Sequence, residues 1–262
     1  MSITDEAAAV TYDVTDGVAT ITLNRPDARN VLDGDVMGLM TEHFAAAEVD
    51  DAVRVVVLTG SGNTFCAGAD LRGANDGTSD GFASAGPKVL ADLLATILDF
   101  PKPTIARVQG HVAGGGNGLV AACDLAVAVE SAKFAFSEVR VGVAPAVISV
   151  VCLPRMSQRD AAELLLTGER VSAERARSAG LLNAVVPDDG LDGYVAGWVT
   201  QLRAGGPTGL AATKRLLREV PTLSRADAFD MTAQMSAALF AADEGKEGMA
   251  AFLERRPAAW LQ

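Results

Sequence analysis

Residues 103–142 read PTIARVQGHVAGGGNGLVAACDLAVAVESAKFAFSEVRVG, and the predicted fold is organised around this stretch. The apolar run from Thr104 to Val108 suits a buried strand, and three glycines at 114–116 follow it. A short helix of small residues is expected at about 117–123, then a second buried strand at 125–129. Glycines at a strand-to-helix turn leave backbone N–H groups uncovered and let a ligand approach closely.

Glu138 is a single acidic residue in the apolar segment that follows the second strand. N–H donors beside one carboxylate suit chemistry on a carbonyl compound, because the donors stabilise an oxyanion and the carboxyl group moves a proton. The small residues also have a purely structural interpretation, in which they let a helix pack closely. The glycine run alone fits both interpretations.

Two short patterns match motifs of other enzyme classes. Residues 116–121, GNGLVA, fit the dinucleotide-binding pattern G-x-G-x-x-G/A. The next strand starts by Leu125, however, which leaves no room for the crossover helix of that fold. Residues 77–81, GTSDG, match the serine-hydrolase pattern G-x-S-x-G, but no strand precedes them and no apolar helix follows at once. Both matches are interpreted as coincidental.

Composition and charge argue against several classes of protein. The chain has 262 residues, 49% of them hydrophobic, which is enough for one large core or a core with an appendage. Its formal net charge of −11 argues against nucleic acid and anionic membranes as partners. No apolar run approaches the length of a membrane span, and the N-terminal MSITDEAAAV lacks the basic and apolar regions of a signal peptide. We therefore expect a cytoplasmic protein.

The cysteines and histidines predict neither disulfides nor a metal site. Cys66, Cys123 and Cys152 are unclustered and lie in apolar surroundings, so reduced, buried thiols are expected. The only histidines are His43 and His111, and there is no Cys/His cluster that could hold zinc.

Apolar periodicity and capping signals predict the remaining elements. On the N-terminal side we expect a hairpin at 12–23 with its turn at Asp16-Gly17, a helix at 33–47, a strand at 54–58 and a helix at 88–100. On the C-terminal side we expect helices at 146–154 and 157–166, a helix capped by Ser172, and a short strand at 181–186. Further helices are predicted at 191–203, 208–219, 224–241 and 244–255. This shift to all helix predicts a catalytic core at 1–200 and a helical C-terminal region at 201–262.

Two segments share one outline. Residues 54–72 and 104–123 each read as an apolar strand, small residues and then a short helix. This indicates an α/β fold in which β-β-α turns repeat and stack into a compact core.

Six motifs in order resemble the enoyl-CoA hydratase/isomerase (crotonase) superfamily along nearly the whole chain. They are LNRPDARNVL (23–32), VVVLTGSGNTFCAGADL (55–71), QGHVAGGGNGLVAACDLAVA (109–128), FAFSEVRVGVAP (134–145), LLLTGERVSAERARSAGLLNAVVP (164–187) and FLERRPAAW (252–260). The resemblance implies a spiral of β-β-α repeats and a C-terminal helical region that builds homotrimers, often paired into hexamers. It also implies acyl-CoA thioester chemistry with no cofactor other than the coenzyme A of the substrate.

The resemblance assigns roles to particular residues. The two backbone N–H groups of the family's oxyanion hole correspond to Ala69 and Gly115, and its acid/base glutamate corresponds to Glu138. The residues implied to contact the substrate are Asp27, Ala28, Arg29, Ala67, Gly68, Asp70, Leu71, Gly114, Gly118 and Ser137. Because coenzyme A is a polyanion, local cations are also expected, and the candidates are Arg25, Arg29, Arg72 and Lys214. Each of them could equally be an ordinary solvated charge.

Gly118 departs from the pattern of well-studied hydratases, which resemble this chain but carry a second glutamate at that position. Water addition generally uses one group to orient and deprotonate water and another to manage the α-carbon proton. Isomerases of the superfamily manage with one glutamate at the position of Glu138, while the residues around Glu138 look more like hydratases. We therefore favour a hydratase-type lyase over an isomerase, with a non-catalytic acyl-CoA binder as a third alternative.

Two further expectations concern the neighbourhood of this gap. Gly118 is expected to face the space above the reacting carbon, so that Gly118→Glu should fold and add a second carboxylate. Asn117 is a candidate for orienting a water molecule, although a role in starting the helix is the simpler interpretation.

Overall fold

The computed structural model describes residues 8–70 and 86–261, and its strands form two sheets. In chain order the strands are β1 (Val10–Thr15), β2 (Val18–Leu23), β3 (Val55–Gly60), β4 (Thr64–Cys66), β5 (Thr104–Val108), β6 (His111–Ala113), β7 (Leu125–Val129), β8 (Lys133–Ala135), β9 (Arg170–Ser172) and β10 (Ala184–Val186). The larger sheet has the order β1-β2-β3-β5-β7-β10, and the smaller has the order β4-β6-β8-β9. Only β1 with β2 and β8 with β9 pair antiparallel among the described strands.

Helices cover the sheets and continue to the C-terminus. They are α1 (Gly34–Val49), α2 (Gly86–Asp99), α3 (Gly115–Ala122), α4 (Ala146–Cys152), α5 (Gln158–Thr167), α6 (Ala173–Ser178), α7 (Leu191–Ala204), α8 (Pro207–Glu219), α9 (Arg225–Ala241) and α10 (Asp243–Glu254). None of the described helices is both long and apolar enough to cross a bilayer.

Local signals in the sequence fix several of these boundaries. The β1–β2 hairpin turns at Asp16 and Gly17, whose φ angles of 49° and 77° are the positive pair that a tight hairpin turn requires. Asp33 caps α1 by accepting a hydrogen bond from Val36 N at 2.8 Å, and Ser172 caps α6 in the same way through Arg175 N. These elements agree with the sequence predictions to within a few residues.

Among the elements that the structure describes, the predicted repeat of two strands and a helix occurs three times. Each repeat gives one strand to the large sheet, a short strand to the small sheet, and then a helix: β3-β4-α2, β5-β6-α3 and β7-β8-α4. β6 and β8 escape sequence detection because each has three residues, too few to show alternation. Because successive repeats stack in parallel, the turns at the ends of β4 and β6 become neighbours in space.

The C-terminal helices bury little of their surface. None of the side chains of α8 or α9 that the structure describes is buried, whereas Phe229 and Phe240 are 69% and 64% exposed. The end of this region is nevertheless tied to the core, since Arg54 donates to Gly205 O at 2.8 Å and to Trp260 O at 3.0 Å. Residue 200, the predicted domain boundary, lies inside α7.

Candidate active site

The turn between β6 and α3 is held in a conformation that only glycine adopts easily. Gly114 has φ 51° and ψ −126°, and its N–H donates to Ala135 O at 3.1 Å. Gly115 then begins α3, and the first N–H groups of a helix have no partner within the helix. The Gly115 N–H is therefore available at the surface of the turn.

The segment after β4 supplies a second free N–H beside the first. Leu32 N donates to Gly68 O at 2.8 Å and Asp70 N donates to Leu32 O at 3.0 Å, so the Ala69 N–H points away from Leu32. A Cβ atom built on Gly68 would lie 3.2 Å from Gly115 N, which shows how closely the two turns approach. Across the described residues, neither Ala69 N nor Gly115 N has a hydrogen-bond acceptor in the protein.

Both turns open onto an apolar cavity of about 480 Å³. Its described lining includes Ala67, Gly68, Ala69, Gly114, Gly115 and Ser137 from the predicted site, together with Glu138. Apolar side chains make up the rest of the described lining, from Pro87, Leu90, Val141, Val143, Ala144, Pro145, Ala146, Val147 and Ile148. The described part of the wall is thus largely apolar and carries two N–H groups and one carboxyl group.

Glu138 reaches this cavity from a 3-10 turn, Ser137–Val141, that follows β8. A Cβ atom on Gly114 would lie 3.7 Å from Glu138 Oε1, so the carboxyl group adjoins the glycine turn. Glu138 Oε2 is buried and has no hydrogen-bond partner among the residues that the structure describes. Burial raises the pKa of Glu138 above its ordinary value of 4.5. A carboxyl group with a raised pKa exchanges protons more readily near neutral pH.

Comparison with known proteins agrees with this architecture. The family model described as enoyl-CoA hydratase/isomerase matches residues 13–262. The chain belongs to the enoyl-CoA hydratase/isomerase family. Enoyl-CoA hydratase EchA19 of Mycobacterium tuberculosis is 36% identical over 242 residues, which cover 90% of each chain. The 2,3-dehydroadipyl-CoA hydratase of Escherichia coli is 32% identical over 91% of this chain and 93% of its own.

Solved structures carry the same fold. The crystal structure of an enoyl-CoA hydratase from Mycobacterium smegmatis superimposes with a TM-score of 0.91 at 34% identity, and covers 97% of this chain and 100% of its own. The α/β spiral predicted from the motifs is therefore confirmed, and the chain is a member of an enzyme family.

A second group of predicted site residues lies beside the cavity rather than on the part of its lining that the structure describes. Asp27 and Ala28 belong to a 3-10 turn, Pro26–Ala28, and Arg29 follows it with φ 56°. Ala67 N donates to Arg29 O at 3.1 Å, which ties this turn to the cavity wall. The turn is exposed at Asp27 and Arg29, as a segment that meets a solvated nucleotide would be. Leu71 lies outside the described residues.

The candidate cations differ in their exposure and in their ion pairs. Arg25 forms an ion pair with Asp33, while Arg29 is exposed. Lys214 contradicts its prediction, because its side chain is 9% exposed and forms an ion pair with Asp124. Asp124 follows the end of α3 opposite to Gly115, so this pair supports the packing of α8 on the core. Arg72 and the 77–81 serine-hydrolase match lie outside the described residues.

Gly118 contradicts the expectation that it faces open space. It is fully buried in α3 and is not among the described residues that line the cavity. A Cβ atom there would lie 2.6 Å from Ile148 Cγ2 and 3.2 Å from Leu94 Cδ1. The expectation of open space at Gly118 is therefore wrong, and Gly118→Glu, which the sequence predicts to fold, would have to displace Ile148. Ile148 lines the cavity instead, and sequence analysis missed it because nothing in an apolar helix marks which residue meets a distant glycine.

Asn117, the candidate for orienting a water molecule, is not among the described residues that line the cavity. It is fully buried, and its side-chain Nδ2 donates to Ala135 O at 2.8 Å and to Gly114 O at 3.3 Å. Its side chain therefore bonds to the two segments that form the site instead of lining the cavity among the described residues.

Cys66, which directly precedes the Ala67–Ala69 segment, is not a nucleophile. Cys66 is a buried free thiol that accepts a hydrogen bond from Gly68 N at 3.4 Å. Burial raises the pKa of the Cys66 thiol to about 12, so the group stays protonated at neutral pH.

Proposed function

We propose that this protein is a hydro-lyase that adds water across the α,β double bond of an enoyl-CoA thioester, or removes it in the reverse direction. The observation that carries the proposal is that Glu138 and the Ala69 and Gly115 turns lie on the wall of one apolar cavity. In this family member they supply the donors and the proton carrier that an enolate intermediate requires.

The two free N–H groups are proposed to receive the thioester oxygen. Addition to the β-carbon moves an electron pair through the conjugated system onto that oxygen, and N–H donors fixed in advance stabilise the charge as it forms. Each such donor contributes on the order of 3 kcal/mol in enzymes of this type. The apolar lining strengthens these interactions because it keeps bulk water away from the charge.

Glu138 is proposed to act first as a base and then as an acid. Its carboxylate takes a proton from water as the oxygen bonds to the β-carbon, and the resulting carboxylic acid then protonates the α-carbon as the enolate collapses. One residue can perform both steps because the proton it gains is the proton it returns. No cofactor is needed apart from the coenzyme A of the substrate, for which the exposed turn at Asp27–Arg29 is the proposed contact.

Ile148 supports a second candidate, an isomerase that moves a double bond between the β,γ and α,β positions. This reaction needs one group to carry a proton and no bound water. Helix α3 contains no Asp or Glu, and the side chain of Ile148 fills the space beside Gly118, so α3 offers no second carboxyl group. The hydratase remains the better proposal, because the curated relatives quoted above carry hydratase names.

Mass spectrometry of the products, together with the ultraviolet absorbance of the conjugated enoyl thioester, separates these candidates. Incubation with α,β-unsaturated thioesters, crotonyl-CoA and longer straight or branched ones, is expected to give products heavier by one water. A β,γ-unsaturated thioester that is converted without a change of mass, with no water added to any α,β-unsaturated substrate, would establish the isomerase. Binding of these thioesters with neither reaction would leave an acyl-CoA binder.

A further inference from the structure

Asn117 joins the two segments that bear the proposed catalytic groups. Its Nδ2 donates to Gly114 O, within the turn that presents the Gly115 N–H, and to Ala135 O, at the end of the strand that leads to Glu138. Ala135 O also accepts from Gly114 N at 3.1 Å, so three groups meet at this point. One carboxamide thus cross-links the donor side and the carboxyl side of the cavity.

These hydrogen bonds are not needed to satisfy the carbonyl groups. Gly114 O already accepts from Asn117 N at 2.9 Å, and Ala135 O already accepts from Gly114 N. The carboxamide oxygen lowers the stability of the fold, because Asn117 Oδ1 is buried without a partner among the described residues. An apolar side chain of similar size would avoid that penalty, so stability alone does not account for asparagine here.

The cross-link acts where a small displacement matters most. Gly114 adjoins both residues, because its carbonyl oxygen accepts from Asn117 Nδ2 and its Cβ position lies 3.7 Å from Glu138 Oε1. A rotation of the Gly114–Gly115 peptide would turn the Gly115 N–H away from the thioester oxygen, and a shift of Ala135 would carry Glu138 with it. A displacement of about 1 Å costs roughly a hundredfold in rate when reacting groups must be aligned.

We infer that Asn117 is a positioning residue, whose carboxamide holds the Gly115 N–H and the Glu138 carboxyl group in the relative position that an enolate requires. This inference rests on the proposed function and adds to it a residue that does not touch the substrate. It also explains why a buried asparagine, with one unsatisfied oxygen, is present in the first turn of α3.

The test replaces the carboxamide by groups of similar size. Asn117→Leu removes the donor and the unsatisfied oxygen together, whereas Asn117→Asp turns a carboxylate toward two carbonyl groups. The control is Asn183→Leu, because the Asn183 side chain also bonds to backbone, accepting from Ala126 N at 2.8 Å, but lies away from the cavity. The ligands are butyryl-CoA, which has no enolate form of importance, and acetoacetyl-CoA, whose enolate resembles the charged intermediate.

For Asn117→Leu we expect kcat to fall about 10- to 100-fold while KM changes less than about threefold. Affinity for acetoacetyl-CoA should fall about tenfold and affinity for butyryl-CoA should stay unchanged. The control should retain kcat and both affinities.

Either an unchanged kcat in a folded Asn117→Leu enzyme, or equal losses of affinity for the two ligands, would overturn the inference. If the leucine variant does not fold, the aspartate variant is judged by the same two criteria, and failure of both to fold would make Asn117 a stability residue and also overturn it. A wild-type enzyme that neither turns over an enoyl-CoA nor prefers acetoacetyl-CoA would instead contradict the proposed function.

Discussion

Ile148 Cγ2 lies 2.6 Å from the position that a Cβ atom on Gly118 would occupy. The two residues come from different helices, α3 and α4, and Ile148 also lines the cavity. The glycine therefore allows α4 to approach α3, and the aliphatic side chain of Ile148 occupies the space beside it. Among the described residues that line the cavity, Glu138 is the one carboxyl group available for proton transfer in the proposed reaction.

Gly118→Glu is expected to destabilise the fold. The glutamate would overlap Ile148, and overpacking of this kind costs about 1–3 kcal/mol of unfolding free energy. Gly38→Glu is a matched control, because Gly38 also lies within a helix but has nothing within 4 Å of its Cβ position. That variant should keep or slightly raise stability, since helices prefer glutamate to glycine by up to about 1 kcal/mol. Urea denaturation measures both.

A double variant tests whether Ile148 is the cause. Ile148→Ala alone should cost about 2–5 kcal/mol through the cavity it creates. Combined with Gly118→Glu, the total loss should be smaller than the sum of the single losses by at least about 1 kcal/mol, because each change accommodates the other. Strictly additive losses of unfolding free energy would show that the glutamate side chain leaves α3 without contacting Ile148.

Glu138→Gln should abolish most activity while preserving binding. The amide keeps the shape of the side chain but cannot carry the proton, so kcat should fall by about a hundredfold or more. The dissociation constant of butyryl-CoA should stay within about threefold of wild type. Glu130→Gln, an exposed acid outside the cavity, serves as the control. Undiminished turnover by Glu138→Gln would remove Glu138 from the mechanism.

The raised pKa of Glu138 predicts a distinctive pH dependence of stability. Because the folded protein holds this proton more tightly than the unfolded chain, the unfolding free energy should decrease as pH rises from 4.5 through the folded-state pKa. Glu138→Gln lacks this proton, so it should lose that part of the pH dependence and gain stability at neutral pH relative to wild type. In catalysis, the acidic limb of kcat/KM should lie above pH 4.5. Identical pH profiles of unfolding for the two proteins would contradict the assignment.

The parts of the site that follow from the sequence are those that depend on local backbone chemistry. The glycines at 114–116 and the isolated Glu138 predict a turn with free donors beside a carboxyl group, and the structure brings these residues together. The contact between Gly118 and Ile148 joins residues thirty positions apart in sequence, and its geometry depends on how two helices cross. No local sequence pattern predicts the angle at which these two helices cross.

The same limit explains the error at Lys214. A lysine on a helix with polar neighbours resembles a solvated cation in sequence. In the fold it donates to Lys102 O at 2.9 Å and pairs with Asp124 at 2.5 Å, both of which are remote in the chain. Asp124 is itself fixed by Thr104, whose N–H donates to it at 2.8 Å. Such ion pairs become predictable only when the docking of α8 is known.

His111 should make the protein less stable in mild acid. Its Nδ1 accepts a hydrogen bond from Lys133 N at 3.2 Å, which joins β6 to β8 and requires a neutral ring. Burial, followed by the nearby charges of Arg170 and Lys133, lowers the pKa of His111 below 6.5. The folded state therefore resists protonation, and unfolding free energy should decline as pH falls through 6.5 toward the folded-state pKa.

The comparison of two variants isolates this contribution. His111→Gln should flatten the decline between about pH 7 and 5, where an ordinary histidine titrates. His43→Gln leaves the His111 hydrogen bond in place and should retain the decline. A decline that survives in His111→Gln would assign it to other groups.

The C-terminal helices are expected to assemble a homotrimer or a dimer of trimers. Phe229, Phe240 and Phe252 are 69%, 64% and 83% exposed, more aromatic surface than a stable monomer usually leaves to water. Light scattering should therefore give a mass of three or six copies of the 27.0 kDa chain.

Phe229→Glu and Phe240→Glu place charges on this surface and should shift the protein toward monomer. The control is Val49→Glu, which places a charge on a residue of α1 that is 82% exposed, and it should leave the oligomeric state unchanged. A wild-type protein that is monomeric and fully active at micromolar concentration would show that these aromatic residues serve another purpose.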